Sequence, residues 1–86
     1  MLCQVYRSPR RQEMYLYVEK TQGLALVPAD LMQRFGEPEA IMLVHLDGER
    51  QLARANADEV IEKITEQGFY LQMPPTLAEL LRRDGE

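Results

Sequence analysis

Tryptophan is absent from this 86-residue chain, and cysteine, histidine and serine occur once each, as Cys3, His45 and Ser8. Each scarcity removes a class of chemistry. One cysteine cannot close an intramolecular disulfide, and it cannot build a cysteine-based zinc site. One histidine and scattered carboxylates match no metal-ligand spacing, so no metal and no cofactor is expected. The five glycines are isolated, which excludes a glycine-rich phosphate loop. The longest apolar run, Ala40 to Val44, is far short of a membrane span. No basic segment followed by a long apolar stretch opens the chain, so no signal peptide is expected; with the lone cysteine this points to the cytoplasm. A basic excess is also missing. Ten Lys and Arg against fourteen Asp and Glu give a net charge of −4 and a pI near 5.0, which disfavours a general nucleic-acid binder.

What remains is an ordinary globular composition, 45% hydrophobic and 28% charged. Residues 1–86 are expected to form one domain, burying roughly 60 to 65% of the unfolded surface. Residues 2–7 alternate, with Cys3 and Val5 on one face and Gln4 and Tyr6 on the other. Ser8-Pro9-Arg10-Arg11 is turn chemistry. From Met14 to Glu19 the alternation resumes, Met14, Leu16 and Val18 facing one way and Tyr15, Tyr17 and Glu19 the other. Two such runs around a polar loop predict a hairpin over 2–19. Pro28 opens a helix near 28–35 with Leu31, Met32 and Phe35 as its apolar stripe; Gly36 and Pro38 end it.

The run Ala40-Ile41-Met42-Leu43-Val44 is apolar on both sides, which places a strand over 40–46 at the centre of the sheet. Residues 49–55 fit either the start of the next helix or a short edge piece. Asn56 followed by Glu59 is a capping-box variant for a helix over 57–67, with Val60, Ile61 and Ile64 as its stripe and Gly68 as its stop. Ile61 and Phe69 are expected in the core. Residues 69–73 read as a strand ended by Pro74-Pro75. Thr76 with Glu79 then starts a third helix near 76–83, its stripe Leu77, Leu80 and Leu81. The order is β-β-α-β-α-β-α. Helices with one narrow stripe each lie on a sheet, so the fold class is a small α/β/α sandwich around a four-stranded sheet. The 19–40 connection is long enough for a right-handed crossover.

Several segments taken together resemble the YcgL-domain family of small bacterial proteins. They are Tyr6-Arg7-Ser8, Tyr15-Leu16-Tyr17-Val18-Glu19, Val27-Pro28 through Phe35-Gly36-Glu37-Pro38, Leu46-Asp47-Gly48, and Gln67-Gly68-Phe69-Tyr70-Leu71-Gln72 with Pro74-Pro75. The resemblance covers nearly the whole chain. It implies an α/β/α sandwich and a gammaproteobacterial origin. It implies no established activity and no catalytic residues. In some genomes the family's gene lies beside that of ribonuclease D.

Four features bear on function. His45 and Asp47 are two residues apart on one strand face and could act as a base and its orienter, but no nucleophile stands near them. A strand-end histidine followed by an Asp-Gly turn is the plainer reading. Cys3 reads as a buried small hydrophobe. Tyr6, Tyr15, Tyr17 and Tyr70, with Gln4 and Gln72, read as a band on one sheet face. Exposed, it would stack bases; covered by the third helix, it would be core. Arg7, Arg10 and Arg11 cluster at the first hairpin and could hold a phosphate or simply keep a solvated edge from pairing.

Three functions compete. The leading one is a small cytoplasmic interaction or adaptor domain without catalysis, its partner a protein and its binding surface around Arg7, Arg10, Arg11 and Tyr17. The alternative is an RNA-processing accessory protein, linked to ribonuclease D, that uses the hairpin arginines and sheet tyrosines. The third is a minor hydrolase using His45 and Asp47.

Overall fold

A computed structural model of the chain describes residues 1–47, 56–78 and 81. Six elements follow the expected order: β1 (Leu2–Arg7), β2 (Tyr15–Glu19), α1 (Ala29–Phe35), β3 (Glu39–His45), α2 (Ala57–Gln67) and β4 (Tyr70–Gln72). Residues 77, 78 and 81 of the expected third helix are helical, with Leu77 and Leu81 exposed. The two readings of 49–55 lie outside the described residues.

The strands form one antiparallel sheet in the order β3-β1-β2-β4. β1 pairs β2 with Val5 opposite Tyr17, and β2 pairs β4 with Tyr17 opposite Tyr70. Because directly opposite residues share a face, Cys3, Val5, Tyr15, Tyr17, Tyr70 and Val44 all point one way. Here they meet Ala57, Val60 and Ile64 of α2. The other face carries Leu16 and Val18, which pack with Met14, Val27 and Phe35 of α1. One helix per face makes the three-layered sandwich that the sequence predicts.

Both helices are set by their ends. The Asn56 side chain accepts hydrogen bonds from the Asp58 and Glu59 amides at 2.8 and 3.4 Å, so the capping asparagine acts as read. Gly68 ends α2 at φ 97°, its N–H donating to Ile64 O at 2.8 Å. A Cβ there would come within 2.5 Å of the Leu26 side chain, so Gly68 serves both the left-handed turn and the close approach. Pro28 stands just before α1, at its N-cap. Val60 and Ile64 are the buried residues of α2's stripe, while Ile61 and Phe69 are only half-buried at the margins of the two clusters.

A strand placement differs from expectation as well. β3 is an edge strand, not the centre. Its buried side is Val44, which reaches the α2 cluster together with the adjoining Leu46. α1 has seven residues, about 10 Å of helix. A helix about 10 Å across covers roughly two strands spaced ~4.8 Å apart, and the partners of Phe35 lie on β2 and its flanks. β3 accordingly keeps all its residues but Val44 exposed.

Candidate functional site

The outer edge of β3 carries three consecutive exposed large apolar residues. Ile41, Met42 and Leu43 keep 41, 51 and 50% of their surface in solvent, with Met42 on the α2 face beside Val5 and Leu43 on the opposite face beside Gln4. The backbone can be oriented from the sheet itself. Met1 and Leu46 exchange two hydrogen bonds, at 2.9 and 2.8 Å. Antiparallel pairs alternate between bonded and non-bonded, so Leu2–His45 and Gln4–Leu43 are non-bonded pairs. The N–H and C=O groups of Leu43 and His45 thus point away from β1. Lys20 N–H donating to Leu2 O at 2.9 Å, on the β2 side, agrees with this phase.

Further along, the register shifts: Val5 faces Met42 but Tyr6 faces Ala40, leaving Ile41 as the extra residue of a bulge. The Gln4 side-chain amide donates to Met42 O at 2.8 Å and closes the ladder there. The regular part of the outer edge is therefore Met42 to His45.

The start of β3 adjoins the hairpin arginines. Arg7 reaches Glu39 at 3.7 Å, with both side chains about half exposed. An open trough of about 490 Å³ is lined by residues 7–12 and Glu39. The arginine trio is not one unit. Arg10 donates to Gln33 O at 2.9 Å and lies across Gly36, held against α1. Arg11 uses its backbone, donating to Ser8 Oγ at 3.2 Å, and its side chain is exposed. Arg34 of α1, which the sequence reading did not single out, lines a second cavity together with Arg11. Only the tertiary fold brings them together, since 23 positions separate them in sequence.

The single serine has a structural task. Ser8 is buried, donates to Phe35 O at 2.6 Å and accepts from the Arg10 and Arg11 amides. It ties the hairpin loop to the end of α1.

Tyr17 stands apart from the arginines. It is 8% exposed, donates to Gln72 Oε1 at 3.2 Å and meets Tyr70 edge to face with ring centres 5.8 Å apart. Burial, reinforced by Tyr70, Tyr15 and Cys3, pushes its hydroxyl pKa up. Burial likewise raises the Cys3 thiol, against the lowering effect of the N-terminal charge. The tyrosine band divides: Tyr15, Tyr17 and Tyr70 pack on the α2 side, whereas Tyr6 packs on the α1 side. His45 is exposed at the end of β3. It lines neither of these cavities, nor a third of about 420 Å³ between Met1, Glu19, Gln22, Leu26 and the end of α2.

Comparison with known proteins gives one consistent answer. The family model described as the YcgL domain matches residues 3–75. Protein YcgL of Escherichia fergusonii is 47% identical over 83 residues, spanning 96% of this chain and 86% of its own length. A YcgL domain-containing protein of Chromohalobacter salexigens is 51% identical over 74 residues, 86% of this chain and 77% of its own. Another, from Serratia proteamaculans, is 47% identical over 83 residues, 96% and 92% of the two chains.

Proposed function

The chain belongs to the YcgL-domain family, and on that premise we propose that it is a small interaction domain that takes up an extended segment of a protein partner along the outer edge of β3. The observation that carries this reading is the exposed run Ile41-Met42-Leu43 beside outward backbone groups at Leu43 and His45. Strand addition uses both features. Main-chain hydrogen bonds give affinity, and alternate side chains give specificity.

In this proposal residues 1–86 work as one domain. Arg7, Arg10 and Arg11 form the polar rim of the docking surface, where directional hydrogen bonds select the partner. Tyr17 supports it from within by holding β2 to β4. The role needs no catalytic group or cofactor. A cytoplasmic setting is part of the reading, supported by the buried unpaired Cys3; no helix among the described residues is long and apolar enough to cross a membrane. The RNA reading rests on the arginines alone, because Tyr15, Tyr17 and Tyr70 contribute to the α2 core instead of offering open stacking faces.

The test is affinity capture from producing cells with the wild-type chain and Leu43→Lys. The expected result is a protein partner that Leu43→Lys no longer retains, with the variant's circular dichroism unchanged. Equal capture by the folded variant overturns the edge as the site. Capture that ribonuclease abolishes, and that weakens steeply with salt, supports RNA in place of a protein.

A further inference from the structure

Between α1 and the β2–β4 side of the sheet lies a slot of about 160 Å³, lined by Arg11, Met14, Leu31, Arg34, Leu71 and Met73. Its character differs from that of the open troughs. Met14 is buried and Leu31 and Leu71 are half-buried, so the floor is apolar, while both cationic side chains are exposed at the mouth. Apolar cavities of about 150 Å³ accept a molecule the size of benzene. This slot therefore has room for a group of about six carbons.

The two guanidiniums decide the other half of the ligand. Of the arginines at this end, Arg7 reaches Glu39 and Arg10 donates to Gln33 O. Among the described residues no carboxylate lies within ion-pairing distance of Arg11 or Arg34. Two cations over one apolar floor call for an anion attached directly to an apolar group, and the planar fork of arginine suits a carboxylate.

We infer that this slot binds a carboxylate carried on a compact apolar group of about six carbons. A short-chain fatty acid and the C-terminal residue of a peptide ending in leucine share that chemistry. The site lies on the α1 side at β4 and shares only Arg11 with the proposed docking rim; it uses no residue of β3 and does not depend on strand addition.

Amide NMR titrations of the full chain test it with three probes: hexanoate, hexanol, and a tetrapeptide ending in leucine with a free carboxylate. Hexanoate or the peptide is expected to shift the amides of Met14, Leu31 and Leu71 saturably, with hexanol weaker on the order of tenfold because it lacks the charge-assisted bonds. Arg11→Gln with Arg34→Gln should reduce carboxylate binding on the order of tenfold and leave hexanol unchanged. Both arginines are exposed, so the double variant is expected to fold. Tighter binding of the peptide identifies a chain terminus as the source, and tighter binding of hexanoate a free acid. Equal binding of hexanol and hexanoate, no saturable shift with either carboxylate, or unaltered carboxylate binding by the double variant overturns the inference.

Discussion

β4 leaves the sheet after three residues, stopped by Pro74 and Pro75, whereas β3 runs for seven and holds Ile41, Met42 and Leu43 in solvent. These are the two edges of one sheet. A short strand followed by proline cannot extend a ladder, and proteins use both devices to protect edges. Side chains on both faces also pin β4: Leu71 lies against the α1 cluster and Tyr70 against the α2 cluster. At β3 only Val44 is buried, and the bulge at Ile41 interrupts just one half. The contrast teaches that edge protection is local. The same sheet closes one side with strand-ending prolines and, among the described residues, pairs the outer side of β3 with no further strand.

The comparison breaks first if packing on the β2–β4 side is not what holds that edge. Phe35→Ala removes the largest fully buried side chain of the α1 cluster. A loss of about 3–5 kcal/mol in denaturant melts is expected. Less than about 1 kcal/mol would mean α1 does not anchor β2 and β4.

Tyr17→Phe probes the same edge more finely. It leaves Gln72 Oε1 buried without its donor, at an expected cost of about 1–3 kcal/mol. Tyr17 and Cys3 also give the α2 face a pH signature. Both are acids whose folded pKa lies above its ordinary value. Each is neutral in the folded chain and ionises first in the unfolded one. The stability this gives is full below the unfolded values and falls as pH rises through the range of about 8.5 to 10 and beyond. Melting curves should therefore drop on the alkaline side. In Cys3→Val the cysteine part of that drop, at its lower end, should vanish.

Leu43→Lys is the opposite case. An exposed edge position should change stability by less than about 0.5 kcal/mol, while partner capture disappears. A large loss of stability would show that β3 is packed and not open.

Much of this was legible in the sequence. The hairpin, the Asn56 cap, the Gly68 stop and the proline end of β4 are local, and their residues announce them. β3 misled because a run apolar on both sides reads as a buried central strand; nothing between Ala40 and Val44 reveals that α1 is too short to reach over it. The tyrosines misled for a related reason. Each strand's alternation was right, but the cross-strand register, Val5 opposite Tyr17, decides which faces coincide. At the candidate site the arginine cluster was visible as a turn, yet its division was not. Arg10's bond to Gln33 O and Arg34's place beside Arg11 are contacts between segments far apart in the chain.

The central claim is that β3, and not β4, is the edge that meets a partner. Met42 and Met73 are matched probes, 51 and 46% exposed at β3 and just past β4. A photo-crosslinking residue placed at each position in turn, in producing cells, tests the claim most directly. The account predicts a discrete protein adduct from position 42, lost when Leu43→Lys is added, and no capture of that same partner from position 73. No adduct from position 42, or equal capture of the same partner from both positions, would contradict it.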